Sequence, residues 1–360
     1  MMRSSYKKED VTLLLKDITG LVKPLPAAER EPLIQSGVHY CEMLPLEKKP
    51  TEKYLKLYET ALKNYTAQTA EAVITVSEKL YRRTDGIPVL VSLARAGTPA
   101  GILIKRYLEG KYGISVPHYT ISIIRGRGID KNAVDYILSR HDPKLVRFID
   151  GWTGKGAILR TLREALSDYP QLSPELAVLA DPAYITDLCG THDDFLIASS
   201  CLNCTVSGLM SRTFLRDDII GENDFHGSAF YGELAAEDRT YEFIDAVMAR
   251  INLGSSFTPK EIDEFSAETK MPSEGKGLAE TKRIADAFGI SDINLVKPGI
   301  GETTRVLLRR VPDRILVRSL SDTAYIGHIL RLAEENGVPV EEYPLECYRA
   351  CGIIRSMADT

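Results

Sequence analysis

The sequence predicts an α/β protein with a mainly parallel sheet, followed by a second, smaller α/β unit at the C-terminal end. Three observations carry that expectation. Short apolar runs at 88–93, 118–124, 146–150 and 176–180 alternate with helical periodicity or glycine turns. Such alternation implies right-handed crossovers and parallel neighbours. The polar stretch at 254–276, rich in Gly, Ser and Pro, reads as a linker, and a shorter strand–helix alternation resumes after it.

The elements follow in order. Residues 1–50 read as irregular, because Pro24, Pro26, Pro32, Pro45 and Pro50 interrupt any long helix. From 51 to about 83, Leu55, Tyr58, Leu62, Tyr65, Val73, Val76 and Leu80 recur at steps of three or four. That is an amphipathic pattern, and the gap at Thr69 favours two helices over one. Residues 1–83 thus form a hood on a first domain spanning 1–253. Strand 88–93 leads to a helix at 99–108, and strand 118–124 leads to a loop opened by Gly126 and Gly128. Strand 146–150 leads over a glycine turn to a helix ending near 167, and strand 176–180 follows. The second domain, 277–360, reads as helix 278–288, strand 293–296, helix 302–310, strand 314–318, helix 322–336 and strand 338–343.

Composition sets the outer limits. A length of 360 residues fits two domains at ~150 residues each. With 44% hydrophobic and 26% charged residues the chain is neither disordered nor fibrous. No run approaches the ~18 apolar residues of a membrane span. The first residues turn charged before a signal-type run develops, so a cytoplasmic location is expected, with no membrane partner. Six cysteines are too few for a disulfide scaffold, and reduced thiols are expected. A net charge of −5 argues against nucleic-acid binding by the whole chain and leaves room for a local basic patch.

Ligands of open parallel sheets bind beyond the carboxyl ends of the strands, which points to the loops at 94–98, 125–132, 150–156 and 181–194. The strongest signal is FIDGWTGKGAI at 148–158. A strand ends in the carboxylate of Asp150, the chain turns over glycines, and a helix begins. Free N–H groups at a helix start, backed by the helix dipole, hold a phosphate. Gly154 and Gly156 let the backbone approach closely, and Thr153 adds a hydroxyl. Asp150 then stands where sugar hydroxyls or a magnesium shell would be. The spacing is not that of a Walker A loop. An ordinary strand-to-helix turn capped by Thr153 accounts for the same residues. The loop at 92–101 offers the fork of Arg95 and the tight turn of Gly97, although a surface Arg beside a turn glycine would read alike. A third loop sets Arg125 and Arg127 between glycines, as in a lid that closes over an anion.

In this order the three loops resemble those of the type I phosphoribosyltransferases. The resemblance implies that Arg95, Ala96 and Gly97 form a pyrophosphate loop, and that Arg125 and Arg127 sit on a mobile catalytic loop. It implies that Asp150, Thr153, Gly154, Lys155 and Gly156 hold the ribose 5-phosphate of phosphoribosyl pyrophosphate, with Asp150 beside Mg2+. That family has two adjacent acids, three residues, then Thr-Gly. Here Ile149 replaces the first acid, and only Gly151 and Trp152 separate Asp150 from Thr153. The whole chain further resembles the divergent phosphoribosyltransferases encoded with bacterial tellurium-resistance and stress genes. FIDGWTGKGAI, TDLCGTHDDFLI at 186–197 and SSCLNCTVSGLMSRTF at 199–214 carry that likeness. That group has a C-terminal Pelota-type RNA-binding domain, and its members are sometimes labelled cysteine proteases. The resemblance implies transfer of phosphoribose to an unknown acceptor in a nucleoside-like or stress-response pathway.

The block from 181 to 213 supports three chemistries. Asp187, His192, Asp193, Cys201 and Asn203 suit a polar acceptor pocket. Cys201 and Cys204, with Cys189 and His192, could form a zinc or redox set. Cys201 with His192 could serve a cysteine protease. Phosphoribosyltransferases commonly hold the acceptor after the fourth strand, which favours the first. In the second domain KPGIGETTR at 297–305 resembles the RNA-contacting turn of the Pelota and kink-turn-binding family, with Gly301 in place of its Asn. This implies RNA contacts from Gly299, Gly301, Glu302, Arg305 and Arg309. Arg305, Arg309, Arg310, Arg314 and Arg318 read as a basic stripe or as a solvated helix face. A non-catalytic RNA-binding protein is therefore a third class. Trp152, the single Trp, suits either stacking on a substrate or packing. The oligomeric state stays open.

Overall fold

The computed structural model describes residues 2–253 and 275–355. The expected linker lies outside the described residues except for its last two, Gly275 and Lys276. In chain order the first part contains β1 (Thr12–Leu13), β2 (Lys16–Asp17), α1 (Ala27–Gln35), α2 (Glu52–Arg82), β3 (Val89–Leu93), α3 (Gly97–Tyr112), β4 (His118–Ile121), β5 (Ile123–Ile124) and β6 (Gly128–Ile129). It continues with α4 (Lys131–Leu138), β7 (Val146–Trp152), α5 (Ala157–Ala165), β8 (Leu176–Ala180), β9 (Cys189–Thr191), β10 (Gly227–Ser228) and α6 (Thr240–Met248).

Six strands form one sheet in the order β1-β4-β3-β7-β8-β9, and every neighbouring pair is parallel. β3 and β8 are buried at every residue, which is why they read as continuous apolar runs. Alternate side chains feed two cores. Val89, Val91, Val146, Phe148 and Val178 join α4 and α5 on one face, whereas Leu90, Ile149, Ala177 and Leu179 join α2 and α3 on the other.

Three expectations change. The periodic stretch is one helix of 31 residues, α2, not two. Thr69 does not break it, because its hydroxyl donates to the Tyr65 carbonyl at 2.8 Å and the residue is buried. Residues 1–50 are not wholly irregular, since β1 pairs with β4 as the sheet edge and β2 pairs with β10. The strand expected at 118–124 stops at Ile121, and β5 turns away to pair antiparallel with β6. Gly126 and Gly128 adopt φ of +76° and +86°, a region open to glycine, and so make this hairpin turn possible.

The second part holds α7 (Lys276–Ala287), β11 (Val296–Pro298), α8 (Ile300–Arg309), β12 (Pro312–Val317), α9 (Thr323–Glu335), β13 (Val340–Glu342) and β14 (Ala350–Ile354). Its sheet order is β11-β14-β12-β13, with β14 antiparallel to both neighbours and β12 parallel to β13. No strand is expected at 350–354, yet β14 fills an interior position of this sheet. Ile300 and Leu307 of α8 and Ile326 and Ile329 of α9 share one buried cluster with Tyr58 and Tyr65 of α2. Tyr54 and Tyr65 donate to the carbonyls of Leu308 (2.8 Å) and Ala324 (2.7 Å), so α2 serves both parts. Among the described residues no helix is long and apolar enough to cross a membrane.

Candidate functional site

The second part closes over the carboxyl ends of β7 and β8. Between them lies a cleft of about 360 Å3, measured out to open solvent, whose lining includes Trp152, Thr153, Gly154, Asp193, Asp194 and Glu302.

The loop after β7 supplies its floor. Asp150 follows the buried run 146–149 of the strand, and its Oδ1 accepts from the Gly151 N–H at 2.8 Å. Burial pushes this carboxyl up to about 7, because an ionised oxygen loses more hydration there than one N–H returns. The Thr153 hydroxyl donates to Asp181, whose other oxygen accepts from the N–H groups of Ile185 (2.8 Å) and Thr186 (3.0 Å). Burial raises Asp181 to about 7 as well. The N–H groups of residues 154–157 have no acceptor among the described residues, and they open α5. Lys155 turns away from them and donates to the carbonyls of Ile293 and Val296 (3.1 Å) in the second part. Burial lowers it to about 8. The Tyr348 hydroxyl donates to the Gly154 carbonyl at 2.7 Å.

The first loop lies against this one. A Cβ on Gly97 would collide with the Ile149 carbonyl and come within 3.1 Å of the Asp150 Cα, so only glycine lets the two loops touch. Ala96 is exposed. Arg95 Nη1 donates to Glu47 Oε1 and to the Met210 carbonyl, both at 3.0 Å. On the β5–β6 hairpin, Arg127 pairs with Glu42 at 2.8 Å, and Arg125 lies over the Tyr40 ring, 5.8 Å from its centroid.

The acceptor residues separate. Asp187 precedes β9, at the opposite end of the sheet from the cleft, where both its oxygens pair with Arg83 at 3.2 and 2.7 Å. That expectation fails because a strand carries its two ends to opposite edges. Asp193 does line the cleft and is held by Gln68 (2.7 Å) and Arg349 (2.8 Å). Asp194, not among the expected site residues, also lines the cleft. It caps α8 from the other part, accepting from the Ile300 and Arg349 N–H groups at 3.0 and 2.9 Å, and burial raises it to about 6. Asn203 bridges Glu47 (3.1 Å) and Arg309 (2.6 Å).

Cys201 and His192 do not pair. The thiol within range of His192 is Cys189, with Sγ 3.6 Å from Nε2. His192 stacks on Tyr184 (4.3 Å between centroids), and its Nδ1 meets the Asp181 carbonyl at 2.8 Å and carboxylate at 3.5 Å. Asp181, Cys189 and His192 bring ligand-type atoms within 4.8 Å of one another, without Cys201 or Cys204. Cys189, Cys201 and Cys204 are buried thiols, each pushed up to about 12 by that burial.

The stripe divides, which corrects its reading as one free basic surface: Arg305 and Arg309 on α8 turn toward the first part, whereas Arg310 and Arg318 are exposed. Arg305 pairs with Glu302 (3.0 Å) and lies over the Trp152 ring, 5.8 Å from its centroid. Arg309 holds Asn203 and the Cys201 carbonyl (3.2 Å). Arg314 pairs with Asp313 and Glu341, and Arg318 donates to the Leu345 and Glu346 carbonyls. Gly299 precedes α8 with φ +93°, and Gly301 and Glu302 line the cleft. A charge pattern at helical spacing does not say which face meets water.

A parallel sheet with glycine turns at its strand ends, roofed by a second α/β unit, defines a two-module α/β protein whose candidate site lies at the module junction. The chain belongs to the StiP family, since residues 4–248 match the family described as tellurite-like stress resistance cysteine protease StiP. Residues 275–356 match the PELOTA RNA binding domain. A protein named cysteine protease StiP from Acinetobacter baylyi is 35% identical over 368 residues, covering 98% of this chain and 94% of its own. The stress-gene grouping and the Pelota-type module expected from the sequence are thereby shown.

Proposed function

We propose that the protein transfers phosphoribose from phosphoribosyl pyrophosphate to a nucleophilic acceptor. The observation that carries this reading is the run of N–H groups at 154–157, open to an anion at the start of α5 and adjoining Asp150. Gly97 holds the first loop against the same strand end. The 5-phosphate rests on the amides, and Asp150 orients ribose hydroxyls. The bond from C1 to the diphosphate oxygen breaks with both electrons leaving on diphosphate. The acceptor's lone pair forms the new bond to C1, and its proton passes to water in the cleft. The transition state is cationic at the sugar, so positioning and charge complementarity are the enzyme's share. One carboxylate together with substrate phosphates is a donor set that suits magnesium, and Asp150 would hold that ion, which neutralises diphosphate charge when bound. RNA is the proposed partner of the second module, through surfaces other than Arg305 and Arg309.

Calorimetric titration with phosphoribosyl pyrophosphate and magnesium tests this. Asp150→Asn keeps the shape and removes the charge, and binding should weaken ~10²-fold, the scale of a charge-assisted contact. A Cβ on Gly154 meets nothing within 4 Å, so Gly154→Val can fold and obstruct only the ligand. Binding that survives both changes, or no binding by wild type, overturns the proposal.

One observation favours a second reading. Cys189, His192 and Asp181 are placed as a thiol, a base and its orienting acid, and the Acinetobacter baylyi relative is named a cysteine protease. Against it, Cys189 is 1% exposed and a poor thiolate. Peptide hydrolysis abolished by Cys189→Ser, with sugar-phosphate binding absent from wild type, would establish it.

A further inference from the structure

Arg212 is a cation without an anion. Among the described residues its guanidinium makes no hydrogen bond or ion pair, and it lies over the Tyr40 ring, 5.7 Å from the centroid. Burial first, and then the neighbouring cations Arg95 and Arg30, lower it to about 10. Arg125 faces the same ring at 5.8 Å, and the Nε of Arg30 is buried with no hydrogen-bond partner. Neither forms an ion pair among the described residues. The carboxylate that bears on Arg212 is Glu47, already engaged by Arg95 (3.0 Å) and Asn203 (3.1 Å).

A half-buried guanidinium surrounded by like charge is costly unless an anion joins it. Arg212 and the exposed Arg125 share one tyrosine ring and Arg30 acts on Arg212 from nearby, so the group calls for more than a single negative charge. Guanidinium forks fit phosphoryl oxygens in pairs, which a point cation does not. Arg125 also lies close enough to Lys155 and Lys297 to lower both, after the larger effect of burial. The positive field therefore runs from Tyr40 to the amides at 154–157.

We propose that Arg212, with Arg30 and Arg125, forms a binding site for a diphosphate group. That this diphosphate is the leaving group of phosphoribosyl pyrophosphate rests on the proposed function, whereas the site itself does not. Arg212 then balances charge gained by the departing oxygen, and Arg125 closes from the hairpin.

The full chain is titrated with inorganic diphosphate, with orthophosphate and with phosphoribosyl pyrophosphate, and urea midpoints are taken with and without diphosphate. Wild type should bind diphosphate at least tenfold more tightly than orthophosphate. Arg212→Met should lose about a hundredfold of that affinity. Its midpoint without ligand should rise, because an unpaired charge has left the interior, and diphosphate should no longer raise it. A purely structural arginine would give a lower midpoint with the diphosphate effect intact, and that result overturns the site. So does a wild type that ignores diphosphate. Gly154→Val separates the two proposals. If it leaves phosphoribosyl pyrophosphate binding unchanged while Arg212→Met abolishes diphosphate binding, the transferase reading falls and the anion site stands.

Discussion

Asp150→Asn should make the protein more stable at pH 8 than wild type, and by a smaller margin at pH 5. The Asp150 carboxyl has an ordinary value of 3.8 and stands at about 7 in the fold. Between those values the folded state holds a proton that the unfolded state has released. Stability therefore falls as pH rises through this window, opposite to the behaviour of a salt-bridged carboxylate. From pH 5 to pH 7 the loss accumulates over about two units, or about 2.7 kcal/mol at 1.36 kcal/mol per unit, and partial solvent access trims this to about 1.5–2.7 kcal/mol. Asn removes the titration and retains an oxygen for the Gly151 N–H. Urea unfolding followed by circular dichroism, with both proteins at pH 5 and pH 8, reads the difference directly. An Asn-minus-wild-type gap equal at the two pH values would refute the claim that Asp150 ionises at a cost.

The module junction and the thiols give four further outcomes. Asp194→Ala strips the cap from α8 and leaves the N–H groups of Ile300 and Arg349 unpaired, so unfolding free energy should drop by about 1–3 kcal/mol. Arg309→Ala should cost a similar amount, about 1–3 kcal/mol, and Arg309→Lys should not restore it, because one ammonium replaces a fork that reaches both Asn203 and the Cys201 carbonyl. RNA binding by the full chain should keep its salt slope in both Arg309 variants, and a flattened slope would return this residue to the RNA surface. Native iodoacetamide labelling at pH 8 should leave Cys189, Cys201 and Cys204 unmodified on a scale where urea-unfolded chain labels fully. Rapid native labelling of Cys189 would instead support the protease reading.

The strands were legible where both faces are buried, as in β3 and β8, because a continuous apolar run has few other uses. β14 was not, since Ala350, Cys351 and Gly352 carry little hydrophobic signal and gain their place only from a close fit, with a Cβ on Gly352 coming 3.2 Å from Val306. The glycine turn after β7 was readable as chemistry because glycines, a strand-end acid and a helix start are adjacent in sequence. Asp181 carries the same local signal, an acid directly after β8, and could have been found by it. Asp194 could not. Its partner N–H groups lie 106 and 155 residues further along the chain, and no local pattern encodes such a cap. Arg212 stood in a block rich in polar residues, and only burial without a counterion sets it apart.

The two tyrosine contacts of α2 also bear on how the chain is made. Tyr54 and Tyr65 find their acceptors 254 and 259 residues later. At roughly 5–20 residues per second of synthesis, that is a wait on the order of 10–50 s. During it, the flank of α2 destined for α8 and α9 has no cover of its own. The emerging polypeptide thus carries an apolar, hydroxyl-studded ridge through most of its translation. The order in which α2, α8 and α9 leave the ribosome fixes how long that ridge waits for its cover.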